Sequence, residues 1–247
     1  MDDLKAGIIR CVGNAQARFS EDALRILRGI RFAAQLGFEL EDETREGMRL
    51  LAPTLRKISA ERIQVELVKT LTSSRPDLLR EAWKLGITKE FLPEFDLAME
   101  TTQETVHHMY TVGEHILHTL LEVRPDRILR LTMLLHDIGK PYMKTMDADG
   151  VAHFKGHPKK SSELANEILH RLKFDNDTIR KVTKLVRYHD HRMPVTPAHV
   201  RRAVHEIGED LFPLYLEVRR ADVAAQSMYQ HKEKVADIDG VEKLYHE

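Results

Sequence analysis

Apolar positions along this chain recur at spacings of three and four, and alternating β-branched runs are scarce, so an all-α fold is expected. Glycine and proline punctuate the pattern at intervals that single helices fill. Residues 4–18 are ambiguous, with Ile8-Ile9-Arg10-Cys11-Val12-Gly13 read as extended. Ser20, followed by Glu21 and Asp22, reads as the N-cap of a helix with acids in its first turn. Leu24, Leu27, Ile30 and Ala34 form that helix's apolar stripe, and Gly37 ends it. Further helices are expected from about Asp42 to Leu51, Ser59 to Leu71, Pro76 to Leu85 and Thr88 to Phe95.

From Met99 to Val106 the pattern lapses into a polar loop, which predicts a domain boundary near residue 100 and two regions, 1–99 and 100–247. In the second, helices are predicted over 110–123, 127–138, 158–173, 176–190, 197–207 and 209–229. A turn at Asp147-Ala148-Asp149-Gly150, flanked by short extended pieces, interrupts the series.

Length and charge narrow the function classes. A chain of 247 residues buries a substantial core, as one large domain or two small ones. Its 38 Lys+Arg nearly cancel 39 Asp+Glu, so any nucleic-acid site must be a local patch. Cys11 is the sole cysteine, which excludes internal disulfides and a cysteine-based zinc site. The N-terminus is polar and acidic, and no apolar run reaches membrane-spanning length. A soluble, cytoplasmic chain without membrane contact is expected, its oligomeric state left open. The fourteen histidines concentrate between His107 and His205, which turns attention to metal chemistry.

The most apolar run, Leu131-Thr132-Met133-Leu134-Leu135, delivers His136 and Asp137 side by side before Gly139 and Pro141 stop it. A solvated helix end accounts for such a pair by itself. A buried one needs a cation or hydrogen-bond donors to offset the carboxylate. Helical phase supplies partners. His115 lies three residues after Val112 in the apolar face that Ile116 and Leu120 continue. Asp222 lies four after Val218, and His189 extends the row Ile179, Val182, Val186. His157, after Gly156, is placed for presentation from a loop. Imidazole with carboxylate suits Mn²⁺, Fe²⁺, Co²⁺, Ni²⁺ or Zn²⁺, and leaves Mg²⁺ open. Lys140 is placed either to neutralise a phosphate oxygen or as a solvated lysine favoured by a helix C-terminus.

The order His115, His136-Asp137, Asp222 in a helical bundle resembles the HD superfamily of metal-dependent phosphohydrolases. The resemblance spans roughly residues 105–230 and is most specific at Leu134-Leu135-His136-Asp137-Ile138-Gly139-Lys140. It implies that those four residues ligate the metal, and that His157 and His189 hold a second metal or meet a substrate phosphate.

The first region carries a different chemistry. Asp22 and Arg25, three apart, can offer a base edge an acceptor and a fork of donors, with Arg28 and Arg31 extending the face toward phosphates. An ordinary solvated face with an ion pair explains the same residues. The stretch from Ile9 to Ala33, with Glu21-Asp22-Ala23-Leu24-Arg25 at its centre, is similar to the neck of bacterial class II tRNA nucleotidyltransferases, the CCA-adding enzymes. That resemblance covers residues 4 to about 95. It implies that Asp22 and Arg25 hydrogen-bond the base of CTP or ATP within a template that includes Glu21. It also implies that Arg18 lies near the nucleotide, and that Ser59-Ala60-Glu61-Arg62 starts the bracing helix. tRNA, CTP and ATP with Mg²⁺ would then be partners of the parent enzyme. The family's palm, with its Gly-rich loop and Asp-x-Asp pair, is not encoded in these residues. Asp147-Ala148-Asp149 reads as a turn and Asp237-Ile238-Asp239 as a loop. The chain is therefore expected to be part of a longer protein and to add no nucleotides by itself. A stand-alone HD phosphohydrolase acting on a nucleotide or phosphodiester, and a non-catalytic helical RNA-binding module, are the alternatives. Whether the parent adds CCA, CC or A stays open.

Overall fold

The computed structural model describes residues 2–105 and 109–247. Val106, at the end of the expected polar loop, and His107, the first of the clustered histidines, lie outside the described residues. The fold is all-α, multi-helix in both regions. Among the described residues the strands are two short pairs: Ile8–Ile9 runs parallel to Glu39–Leu40, and Thr145–Met146 runs antiparallel to Ala152–His153. The chain forms two compact units, Met1–Leu97 with Ile168–Phe174, and Ala98–Glu167 with Asp175–Glu247.

The first unit centres on the helix Leu24–Leu36 packed on Ala60–Leu71. The expected stripe of Leu24, Leu27, Ile30 and Ala34 is buried, as are Ile63, Leu67 and Leu71. Gly37 ends the first of these helices in the left-handed region at φ 68°. Ser20, however, is not an N-cap. Asn14 caps an earlier helix, Ala15–Glu21, by accepting from the Ala17 N–H at 2.9 Å, and Ser20 falls in its last turn. Asp22 is extended at φ −149°, and its Oδ1 accepts from the Leu24 N–H at 3.1 Å, which lets the chain turn into the next helix. Asp22 and Arg25 therefore flank a kink rather than share one helical face.

The second unit is organised around the helix Arg127–Leu135, which packs against Val112–Glu122, Asn176–Tyr188 and Phe212–Ala224. Its start is fixed by Asp126, whose Oδ1 accepts from the N–H groups of Ile128 and Leu129 at 2.9 and 3.0 Å. Burial of almost every residue from Leu129 to Gly139 explains why that run is so apolar. The helix closes at Leu135, not 138, and Pro141 does not stop it. The proline instead begins a short helix, Lys140–Met143, where a missing N–H costs nothing.

Gly139 is needed for space rather than for conformation. A Cβ there would lie 2.5 Å from the Ser161 backbone nitrogen, and the Gly139 N–H donates to Ser161 Oγ at 2.9 Å. The helix expected over 209–229 ends at Ala224, and a separate one, His231–His246, follows. Asp237 and Asp239 therefore sit on a helix and not in a loop. Ile238 between them is buried in the cluster that holds Phe212 and Tyr215.

Candidate metal centre and nucleotide template

The helix Val112–Glu122 points His115 into the core of the second unit, and Phe212–Ala224 points Asp222 there. His136 and Asp137 arrive from the turn after Arg127–Leu135, and His189 from the end of Asn176–Tyr188. His157 opens the helix His157–Arg171. His115, His136, Asp137 and His189 are at most 1% exposed and Asp222 is 7% exposed. These six residues form two groups that share Asp137: His115, His136, Asp137 and Asp222, and Asp137, His157 and His189.

Every imidazole is held by its Nδ1. The rings of His136, His157 and His189 each donate Nδ1–H to the carbonyl three residues earlier: Met133 at 2.8 Å, Phe154 at 2.9 Å and Val186 at 2.7 Å. His115 donates to the Ala225 carbonyl at 3.3 Å. In the neutral form of each ring this leaves the Nε2 lone pair turned into the cluster, the arrangement in which imidazole ligates a metal. On one side, Asp137 Oδ2 lies 3.5 Å from His115 Nε2 and 3.4 Å from His136 Nε2, and Asp222 Oδ1 lies 3.0 Å from His115 Nε2. On the other, Asp137 Oδ1 lies 3.3 Å from His157 Nε2 and 3.4 Å from His189 Nε2.

Among the described residues neither Asp137 oxygen has a hydrogen-bond donor in bonding geometry, although the Lys140 ammonium lies 2.7 Å from Oδ2. Buried carboxylate oxygens that converge with imidazole nitrogens are what a divalent cation satisfies, and the all-nitrogen-and-oxygen set suits a first-row transition metal. Burial alone pushes the Asp137 carboxyl up, but the Lys140 ammonium and the His136 ring outweigh it and hold the group well below the usual carboxylate range. Asp222 behaves alike: burial raises it, and the hydrogen bond and charge of His115 bring it well below that range. Both groups present charged oxygens to a cation.

The cluster opens into a cleft of about 480 Å³ whose walls include Lys140, Phe154, Lys155, His157 and Arg192. Lys140 is not a solvated lysine: it is 5% exposed, and its Nζ donates to Gln103 Oε1 at 2.9 Å. Gln103 is 7% exposed, a role its polar neighbours in sequence gave no sign of.

In the first unit the remaining expected residues form a polar network at the kink. Glu21 Oε2 accepts from Nη1 of both Arg18 and Arg25 at 2.6 Å, and Arg25 also donates to the Arg18 carbonyl at 2.8 Å. Asp22 Oδ2 accepts from Arg62 Nη2 at 3.0 Å, which ties the kink to the start of the helix Ala60–Leu71. Arg28 stands half-exposed with its Nε 3.6 Å from Glu66 Oε1. Arg31 does not extend the face toward phosphates. Its side chain is 12% exposed and lies against buried Glu66 at 3.3 Å.

Residues 105–224 match the HD domain family, and residues 37–99 match a family described as the probable RNA and SrmB-binding site of polymerase A. The A-adding tRNA nucleotidyltransferase of Deinococcus radiodurans is 36% identical over 235 residues, covering 89% of this chain and 53% of that protein. The CC-adding tRNA nucleotidyltransferase of Thermus thermophilus is 36% identical over 214 residues, covering 82% of this chain and 49% of its own length. The chain thus spans about half the length of the curated relatives it matches. The fold is shared with the Bacillus stearothermophilus CCA-adding enzyme in complex with CTP, at a TM-score of 0.61 and 22% identity, over 96% of this chain and 52% of that one. Among the described residues no helix is long and apolar enough to cross a membrane.

Proposed function

This chain belongs to the tRNA nucleotidyltransferase family with an HD domain, and from that premise we propose that it is the part of such an enzyme that selects the nucleotide, contacts tRNA and carries a metal-dependent phosphohydrolase centre. The boundary near residue 100 divides the two roles. The named relatives differ in which nucleotides they add. The activity proposed for the whole protein is therefore addition to tRNA 3′ ends from CTP or ATP with Mg²⁺, in the cytoplasm.

The base template rests on Asp22, Arg25 and Arg62. Arg62 holds the Asp22 carboxylate at the kink, and Glu21 holds Arg25, so an acceptor and a guanidinium fork are fixed side by side with Arg18 and Arg28 flanking them. A stand-alone hydrolase has no use for such a network.

The hydrolase centre rests on one observation: four imidazole Nε2 atoms converge on the two oxygens of a single buried carboxylate, Asp137. His115, His136, Asp137 and Asp222 would hold one divalent cation, and His157 and His189 with Asp137 a second. When bound, such ions act as Lewis acids toward a phosphoryl oxygen and lower the pKa of a coordinated water. The protein's own part is to orient the imidazoles through their Nδ1–H bonds. Lys140, at the inner wall of the cleft, supplies positive charge for a phosphoryl oxygen. Hydrolysis of bis-p-nitrophenyl phosphate by the chain, with Mn²⁺, Co²⁺, Ni²⁺ or Mg²⁺ and loss of turnover in His136→Ala/Asp137→Ala, tests the reading. No metal-stimulated turnover with any of these ions would leave the centre without hydrolytic function.

A further inference from the structure

The helix His231–His246 lies beyond the residues that match the HD domain family, yet it reaches the centre. Lys234 on its second turn is 8% exposed, and its ammonium donates to Gln226 Oε1 at 2.9 Å. The Gln226 amide in turn donates from Nε2 to Asp222 Oδ2 at 3.0 Å. Asp222 Oδ1, the other oxygen, faces His115 Nε2 at 3.0 Å and His136 Nε2 at 3.8 Å.

The order of atoms along this path matters. A glutamine amide is a donor at one end and an acceptor at the other, and either can face a given partner. An ammonium has only donors, so Lys234 claims the Gln226 oxygen and turns the NH₂ toward Asp222. The opposite orientation would set an amide oxygen against a buried carboxylate, with no proton between them. With Oδ2 held by the Gln226 N–H, Oδ1 is the oxygen turned to the histidines, so Asp222 would ligate through one oxygen. A carboxylate free of that restraint could rotate and offer both oxygens or neither.

Resting on the metal-centre reading above, we propose that Lys234 and Gln226 are positioning residues that lock the Asp222 carboxylate in its ligating orientation, so that the helix His231–His246 sets the affinity of the centre. Residues that orient a metal ligand in this way typically change affinity about ten- to a hundredfold when removed. The path runs through a methylene stem and two hydrogen bonds, so Lys234→Met and Gln226→Leu keep most of the volume while removing the donors.

The test uses the full 247-residue chain, stripped of metal with a chelator and dialysed. Its affinity for Mn²⁺ is measured by calorimetric titration and its Co²⁺ complex by visible absorption. Lys234→Met and Gln226→Leu should each weaken Mn²⁺ binding about ten- to a hundredfold and alter the cobalt spectrum, because the coordination of Asp222 changes. If Lys234→Met does not fold, as a metal-free melt would show, Gln226→Leu at its half-buried position carries the test alone. Wild-type affinity in Gln226→Leu would overturn the proposal. So would weaker binding with an unaltered cobalt spectrum, which would mark the two residues as purely structural. A wild-type chain that takes up no metal would overturn the metal-centre reading itself, and this proposal with it.

Discussion

His157 Nε2 lies 3.2 Å from His189 Nε2, and two neutral rings that each spend Nδ1–H on a backbone carbonyl have no hydrogen to place between them. Two lone pairs at that distance repel, and Asp137 Oδ1, 3.3 and 3.4 Å away, adds a third. A cation at their centre would turn the repulsion into coordination. His157→Ala/His189→Ala should therefore leave one bound metal while removing another, as read by metal analysis of the purified chain. Loss of all metal in that variant would show that the six residues form a single site.

Bound metal should also stabilise the second unit. A ligand at a hundred times its dissociation constant adds about 2.7 kcal/mol. At roughly 2–4 °C per kcal/mol for a chain of this size, the melt should rise by about 5–10 °C on adding Mn²⁺ or Co²⁺ to metal-free protein. EDTA should reverse the rise. Differential scanning calorimetry with and without metal reads the shift directly, and coincident melts would mean that the cluster is satisfied without a cation.

Gly139→Ala should cost about 1–3 kcal/mol, the usual penalty for forcing extra volume into a packed interior. The new methyl meets the Ser161 backbone, which cannot rotate away as a side chain can. Because Asp137 lies two residues earlier, metal affinity should fall along with stability. Urea denaturation gives the first quantity and titration the second. A neutral alanine would remove the packing argument for this glycine.

At the kink, Arg62→Ala should weaken binding of CTP and ATP about tenfold, near 1.4 kcal/mol, by freeing the Asp22 carboxylate from its 3.0 Å partner. Metal content should stay unchanged. Equilibrium titration with a fluorescent nucleotide measures the first and elemental analysis the second. Undiminished binding by both Arg62→Ala and Asp22→Ala would remove these residues from the template.

What the sequence made legible follows from periodicity. His115, His189 and Asp222 were readable because each falls in phase with apolar neighbours on a helix that is buried on that side. His136 and Asp137 were readable because a run that ends in two polar residues is hard to bury without a reason. The kink at Asp22 was not, since Ser20, Glu21 and Asp22 all have cap character and Asn14, the residue that caps, lies farther upstream. Gln103, Gln226 and Lys234 were not legible either. Each gains its role from a partner distant in sequence or across a helix break, and a polar residue in a loop or on a mixed helix face carries no periodic mark. The pattern carries the preceding helix on to residue 229, past its end at Ala224, because the break at Ser227 and Met228 has neither glycine nor proline.

The most direct measurement is the divalent metal content of the purified 247-residue chain, by mass spectrometry of its elements, beside that of His136→Ala/Asp137→Ala. The account predicts at least one tightly held transition metal per wild-type chain and none in the double variant, with the helical content of both unchanged by circular dichroism. Equal metal in the two proteins, or none in either after reconstitution with Mn²⁺, Co²⁺, Ni²⁺ and Zn²⁺, would contradict it.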